Sequence, residues 1–409
     1  MSESVLMCNQ ADNLQSKSTL EENKVAMEKS QYTVKKINKT EHDNFAQEDI
    51  LGIHHVTAIA SDPQKNIDFY TQVLGLRLVK LTINFDDPTT YHLYFGDEIG
   101  RPGTILTFFP WPNAPKGNRG TGQVIATSFL IPKSSVGYWL DRLKSQKVPV
   151  QGPTKRFGDT EEVLTLYDPD GLELELVANR SAEDRTLHVW KEGPISIEHA
   201  IRGFYSVTLL EVGYEHTAHV LTNELGFKLV GQDGSRFRFQ ISEAKEDDAD
   251  GRNKNTKGEH HGSNIVDILC LPNAQYGMIG VGTVHHVAWR TPSDEQQKML
   301  RAKIVKAGLN ATPVIDRTYF HSVYFREPGG VLFEIATNPP GFATDEKVEE
   351  LGTHLMLPPW LESVRKDLER VLQPVHLPHK KEKGQEQVLS KKNNNDLIIR
   401  GIKAKNVQE

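Results

Sequence analysis

Two histidine pairs and one glutamate are the residues of this chain whose types and spacing could do chemistry. The pairs lie in apolar, β-prone stretches at residues 52–59 and 283–289, and a valine directly follows each pair. The glutamate lies in residues 327–335, where a Pro-Gly-Gly turn leads into an apolar strand. Two imidazoles and one carboxylate held on strands form a facial triad, which suits non-haem Fe(II) and leaves positions open for substrate and O2.

The alternative is that these histidines are packed residues of the core. A single buried histidine usually just finds a hydrogen-bond partner. Two His-His-Val strands and one strand that carries a glutamate are harder to explain by packing alone. The repetition therefore favours a metal site over three separate packing residues.

Composition excludes several other classes of protein. The 409 residues carry a formal net charge of -6, which gives no sign of binding to nucleic acid or to a membrane surface. Cys8 and Cys270 are the two cysteines, so no disulfide framework is indicated. No apolar run reaches the length of a membrane span, and the first residues lack a secretory pattern. We expect a cytoplasmic protein.

The elements that must position the histidines and the glutamate form a repeat. A strand, a helix and further strands follow one another in units that begin near residues 52, 123, 203 and 284. Such internal repetition determines the fold prediction. One unit leaves a face of its sheet uncovered, so the units must pair to bury it.

Three polar segments lie outside this repeat. Residues 1–47 are predicted to be a disordered leader and residues 243–264 a solvated insertion in the third unit. Residues 343–409 are predicted to hold one helix, at 360–372, followed by a basic disordered tail.

Five motifs carry a resemblance to a known family. They lie at residues 52–57, 84–88, 107–112, 285–288 and 325–330. With them the chain resembles the vicinal-oxygen-chelate superfamily of glyoxalases and type I extradiol dioxygenases. Within it, the chain is most similar to the ring-cleaving dioxygenases that act on hydroquinones. The resemblance implies an α+β fold of four βαβββ modules paired into two domains, at 50–180 and 198–342.

The resemblance also implies roles for eight residues, supplied by the first and fourth modules together. It implies that His55, His286 and Glu334 bind the metal, which would be Fe(II) or Mn(II). It places five further residues around the bound ring: His54, Thr57, His285, Arg317 and Tyr324. Because neighbouring strand residues point to opposite faces, His285 and His286 can both face the site only where the strand bulges. Glu175 has the offset of Glu334 within its own module, and it is expected to be structural or exposed.

The expected activity is insertion of O2 into a hydroquinone or catechol-like aromatic, with the aromatic and O2 as the partners. Two alternatives remain. A glyoxalase-like isomerase or lyase would need more metal ligands and a basic glutathione site, and a metal-free binding protein would not need all three ligands. The position of ring cleavage and the oligomeric state stay open.

Overall fold

The structure is a computed structural model that describes residues 50–185, 188–241 and 264–378. The predicted leader, nearly all of the predicted insertion and most of the predicted tail lie outside the described residues. Four consecutive modules account for the described chain up to residue 337.

Each module begins with a strand and a helical segment and continues with three more strands. The strands of the first two modules are β1 (Ile53–Ala60), β2 (Arg77–Asn84), β3 (Asp87–Gly96), β4 (Ile105–Pro110), β5 (Gln123–Ile131), β6 (Val150–Arg156), β7 (Glu161–Tyr167) and β8 (Glu173–Ala178). Those of the last two are β9 (Phe204–Glu211), β10 (Lys228–Asp233), β11 (Arg236–Gln240), β12 (Ile265–Cys270), β13 (Val284–Thr291), β14 (Ile315–Asp316), β15 (His321–Arg326) and β16 (Leu332–Thr337).

Within the described residues the helices are fewer than the strands. They are α1 (Pro63–Asp68), α2 (Val136–Ser145), α3 (Ser181–Asp184), α4 (Glu215–His219), α5 (Asp294–Lys306) and α6 (Arg365–Val371). A π-helical turn extends α1 over Phe69–Val73 and another extends α4 over Val220–Glu224. Short 3-10 turns lie at Lys133–Ser135, Phe342–Thr344, Val348–Glu350 and Pro359–Val364. In the described residues no helix is both long and apolar enough to cross a bilayer.

Local sequence explains where the helices begin. Asp62 caps α1 by accepting hydrogen bonds from the backbone of Gln64 and Lys65, and Pro63 occupies the first helical position. Ser293 caps α5 in the same way through the backbone of Gln296. The predicted helix at 360–372 is present as a 3-10 turn followed by α6.

The strands form two eight-stranded sheets, and the α+β prediction of four βαβββ modules is confirmed. The first sheet has the order β14-β15-β16-β13-β1-β4-β3-β2, so it joins the fourth module to the first. The second sheet has the order β10-β11-β12-β9-β5-β8-β7-β6 and joins the third module to the second. Each sheet therefore contains strands from both predicted domain ranges, 50–180 and 198–342. The division of the chain into domains at these ranges stays a prediction.

Four β-bulges interrupt the pairing at the centre of the sheets. Where β1 pairs with β13, the register skips His54 on one strand and His285 on the other. Where β5 pairs with β9, the register skips Ile125 and Tyr205, which are the positions equivalent to His285 and His54. A bulge inserts one unpaired residue and re-aims the side chains beside it. A bulge, the condition that the sequence set for His285 and His286 to share a side, is therefore present at His285 and has a counterpart at His54.

A buried carboxylate supports the turn that leads into β16. Glu211 ends β9 with 2% of its surface exposed, and its Oε1 has no hydrogen-bond partner. Gly329 of the turn lies against this carboxylate so closely that a Cβ would come within 2.3 Å of Oε2. Burial, reinforced by the nearby charge of Glu327, raises the pKa of Glu211 to about 8.

The raised pKa makes stability depend on pH. The folded protein holds the Glu211 proton more tightly than the unfolded chain does, so this group stabilises the fold most below its ordinary pKa. That contribution falls by about 1.4 kcal/mol per pH unit as the pH rises toward 8. Chemical denaturation should show the wild type losing stability relative to Glu211→Gln between pH 5 and pH 8. Equal pH profiles would contradict the prediction, and the exposed Glu349→Gln is the control.

Candidate metal centre

Three neighbouring strands of the first sheet bring two histidines and a glutamate to one point. His55 comes from β1, His286 from β13 and Glu334 from β16, and these strands are adjacent in the order β16-β13-β1. Glu334 Oε2 lies 2.9 Å from Nε2 of His286 and 3.2 Å from Nε2 of His55. The two Nε2 atoms are 3.3 Å apart. Two imidazole nitrogens and one carboxylate oxygen therefore converge on a common centre.

The donor set fits a divalent metal. The three side chains are 0–4% exposed, and each offers one ligand atom. Burial works against ionisation of Glu334, but His55 and His286 outweigh it and hold the pKa of the carboxyl well below its ordinary value. Its Oε1 accepts a hydrogen bond from Ser322 Oγ at 2.5 Å, whereas the buried Oε2 has no hydrogen-bond donor. A charged, buried oxygen without a donor is what a metal would satisfy.

His54 fixes the tautomer of His55. Its Nε2 lies 3.1 Å from the backbone oxygen of Thr337, which can only accept, so this nitrogen carries the hydrogen. Burial, with the neighbouring His55, lowers the pKa of His54 well below its ordinary value, so its Nδ1 is bare. That Nδ1 lies 2.9 Å from Nδ1 of His55 and accepts its hydrogen. The lone pair of His55 is then on Nε2, which faces Glu334.

His285 has the same relation to His286. Their Nδ1 atoms are 2.8 Å apart, although the two residues are sequence neighbours. Burial, reinforced by His286, lowers the pKa of His285 to about 3, so its ring is neutral. Its ring edge packs against Phe109 and Trp111. Each bulge therefore places one supporting imidazole behind one inward-facing imidazole.

A pocket opens beside the two histidines of the ligand set. Aromatic and polar side chains line it together with His55 and His286: Asn84, Phe85, Asp86, His92, Tyr94, Phe109, Arg317, Phe320 and Tyr324. Arg317 donates from Nε to the hydroxyl of Tyr324 at 3.3 Å and pairs through Nη2 with Asp86 at 2.9 Å. Burial, with the charge of Glu334, raises the pKa of Tyr324 well above its ordinary value, so its hydroxyl keeps its hydrogen.

Thr57 lies beside the ligands and does not line this pocket. It is fully buried on β1, two residues after His55 and therefore on the same face of the strand. Its hydroxyl lies 2.8 Å from the hydroxyl of Thr107 on β4. The structure thus brings all eight sequence-predicted residues to one region of the first sheet.

The protein family follows from sequence comparison. The model of the Glyoxalase/Bleomycin resistance protein/Dioxygenase superfamily matches residues 52–176 and 213–335. The chain belongs to this superfamily.

Several relatives within the superfamily are ring-cleaving enzymes by name. The chain is 45% identical over 324 residues to the Bacillus subtilis (strain 168) protein called "Putative ring-cleaving dioxygenase MhqO", covering 79% of this chain and 96% of the relative. It is 32% identical to the chlorohydroquinone/hydroquinone 1,2-dioxygenase of Sphingobium indicum, covering 80% and 97%. A crystal structure of a "putative dioxygenase" from Bacillus subtilis aligns with a TM-score of 0.73 at 43% identity, covering 81% and 99%.

The second sheet of this superfamily member lacks the ligand set. The positions equivalent to His55, His286 and Glu334 are Ser206, Ala126 and Glu175, because Thr57 pairs with His286 as Thr208 pairs with Ala126. Glu175 is 2% exposed, accepts a hydrogen bond from Ser128 at 2.7 Å and pairs with Arg156 at 2.6 Å. An arginine thus pairs with the carboxylate that corresponds to Glu334, as expected for a structural Glu175.

Sequence reasoning missed His92, Tyr94 and Phe320, which all line the pocket. His92 and Tyr94 lie on β3, two residues apart, and both line the pocket. For His92 and Tyr94 the available signal was their alternation with the apolar residues Leu93 and Phe95, because polar atoms at every second position of a strand indicate one distinct face. The motif at residues 84–88 contributes to the pocket wall, and its Asp86 forms an ion pair with Arg317.

Proposed function

We propose that this chain is an Fe(II)-dependent ring-cleaving dioxygenase that inserts O2 into an aromatic diol of the hydroquinone type. One observation carries the proposal: buried His55, His286 and Glu334 converge on one point, and both histidines line a pocket with aromatic walls. Two imidazoles and one carboxylate suit Fe(II) and leave positions open for a substrate oxygen and O2. The names of the relatives agree with this chemistry.

The iron, when bound, would supply the redox chemistry that joins the aromatic and O2. The protein residues supply the rest. His54 and His285 hold the two coordinating imidazoles in one orientation through their Nδ1 contacts. Phe109 and Phe320 give the ring an apolar surface beside the ligands.

Tyr324 and Arg317 would stabilise negative charge on an oxygen in the pocket. Tyr324 pairs with Glu334 across adjacent strands, and its ring centroid lies 5.6 Å from that of His286. Its hydroxyl keeps its hydrogen because of the raised pKa, so it is available as a donor. Donors fixed in advance where charge develops stabilise the transition state.

The test is O2 uptake after anaerobic loading with Fe(II), measured across a panel of hydroquinones and catechols. Loading with Mn(II) in parallel distinguishes the two metals that accept this ligand set. We expect O2 uptake that depends on Fe(II) and on a diol of the hydroquinone class. A fully loaded protein that consumes no O2 with any diol would contradict the proposal.

Removing the Tyr324 hydroxyl tests its role as a donor. Tyr324→Phe should keep the metal, because no ligand changes, and lower kcat by about a hundredfold, as the loss of a transition-state donor does. Bound iron and steady-state O2 uptake measure the two effects. Tyr319→Phe is the matched control, since Tyr319 is buried and donates to Asp345 at 2.9 Å. An unchanged kcat in Tyr324→Phe would show that the hydroxyl plays no part.

A further inference from the structure

A chain of hydrogen bonds connects the pocket wall to the strand that carries His55. Tyr94 Oη lies 2.8 Å from Nδ1 of His92, and Nε2 of His92 lies 2.9 Å from Oγ1 of Thr107. Oγ1 of Thr107 lies 2.8 Å from Oγ1 of Thr57. Thr107 and Thr57 are fully buried and Tyr94 is 2% exposed. Thr57, Thr107 and Tyr94 are therefore shielded from bulk water, whereas His92 between them is partly exposed and lines the pocket.

The ring of His92 is held in place from both sides. Its centroid lies 4.0 Å from that of Tyr94 and 4.4 Å from that of Phe109. Both ring nitrogens are engaged within the chain, so His92 has no free polar atom to offer a substrate. Its contribution must therefore pass through its neighbours.

The chemistry of the end group gives the chain a direction. Burial, with the nearby Tyr324, raises the pKa of Tyr94 well above its ordinary value, so the phenol keeps its hydrogen. Burial, with His55 and His286, lowers the pKa of His92, so its ring carries one hydrogen. A phenol is a much stronger acid than a neutral imidazole, so the favourable bond has Tyr94 donating to Nδ1. The hydrogen of His92 is then on Nε2 and is donated to Thr107.

The direction determines what Thr57 can do. Thr107 accepts from His92 and donates its own hydrogen to Thr57 Oγ1. The hydroxyl of Thr57 then cannot donate back to Thr107, and its hydrogen is available to another oxygen. Because Thr57 shares a strand face with His55, that hydrogen lies on the side of the sheet where the ligand atoms converge.

The second sheet holds a charged version of the same chain. The positions equivalent to Tyr94, His92, Thr107 and Thr57 are, in order, Arg238, Arg236, Asp267 and Thr208. There Arg236 donates to Thr208 at 2.8 Å and pairs with Asp267 at 3.2 Å. A salt-bridge network thus stands where the first sheet has neutral groups. Neutral groups do not repel a cation bound in the same sheet. Because hydroxyl and imidazole groups can each donate or accept, the direction of hydrogen-bond donation along the chain is not fixed by charge.

We propose that His92 is a positioning residue of the proposed dioxygenase: it sets the direction of the Tyr94–His92–Thr107–Thr57 chain so that the hydroxyl of Thr57, which lies outside the pocket lining on the same strand face as His55, directs its hydrogen toward the ligand centre where an oxygen of the diol would bind. The inference rests on the proposed function, and it assigns no contact between His92 and the substrate. A diol oxygen that loses its hydrogen gains negative charge, and a fixed donor stabilises that charge.

The test separates binding from turnover. Zinc has no redox chemistry, so the zinc-loaded protein can be titrated with nitrohydroquinone, whose absorption changes when a hydroxyl loses its hydrogen. We expect His92→Phe, which keeps the ring stacking, to weaken the binding of the ionised probe about tenfold. Thr107→Val cuts the chain one step further along and should have the same effect. His92→Gln should restore binding to within about threefold, because its amide can accept from Tyr94 and donate to Thr107.

The variants must bind as much zinc as the wild type and have the same melting temperature, so that a difference in probe binding reflects the hydrogen-bond chain. Thr208→Val in the second sheet is the control and should bind the probe as the wild type does. In the iron-loaded protein the same variants should lower kcat more than they raise KM. If the wild type binds the probe and His92→Phe and Thr107→Val bind it equally well, the inference is wrong and the proposed function stands. If the zinc-loaded wild type binds no probe, the proposed function fails and the inference falls with it.

Discussion

Replacing Glu334 with glutamine is expected to remove most of the bound metal. The substitution keeps the volume of the side chain and an oxygen that can accept from Ser322, so the local packing is preserved. It removes the only carboxylate that contacts His55 and His286 within the described residues. Loss of residues that merely support a ligand costs about 10–100-fold in metal affinity, so loss of a ligand should cost more than about a hundredfold.

Metal analysis after loading with limiting Fe(II) or zinc would measure this effect. Glu175→Gln is the matched control, because it makes the same change at the equivalent position of the second sheet, where Arg156 pairs with the carboxylate. The Glu175 variant should lose stability and keep its metal. Full metal occupancy in the Glu334 variant would show that the metal binds elsewhere.

The second large effect is expected on folding. Arg238 is 7% exposed and makes two hydrogen bonds to Asp267, from Nε at 2.7 Å and from Nη2 at 2.8 Å. It also pairs with Glu161, which is 1% exposed. Arg238→Met would leave two carboxylates buried with less positive charge beside them. Breaking a buried pair in this way typically costs about 3–5 kcal/mol.

Chemical denaturation would measure the free energy of unfolding of two variants, Arg238→Met and Arg370→Met, and their losses relative to the wild type would be compared. Arg370 pairs with Asp367 on the surface, where both side chains are more than 70% exposed, and such pairs contribute at most about 1 kcal/mol. A loss in Arg238→Met no larger than the loss in Arg370→Met would contradict the prediction. It would mean that Arg156 and Arg236 can neutralise the buried carboxylates without Arg238.

The repeat and the donor types could be predicted from local sequence. Alternating apolar residues and helix-capping residues such as Asp62 and Ser293 act over a few residues, so they are readable in one dimension. Strand β6 was missed because Pro153 and the polar residues around it hide its pattern. The pairing of the fourth module with the first rested on the resemblance, because the strands that form the sheet are far apart in sequence.

The sequence by itself determined the chemistry that is available: two His-His-Val strands, one apolar strand that carries a glutamate, and four units that must pair. Only the tertiary structure decided how these groups meet. Bulges at His54 and His285 turn adjacent imidazoles toward each other, and neither bulge has a sequence signal of its own. The same four-module plan gives a possible metal site in one sheet and a salt-bridge network in the other. The physical reason is that ligand geometry depends on register between distant strands, which is set by packing and not by the local sequence.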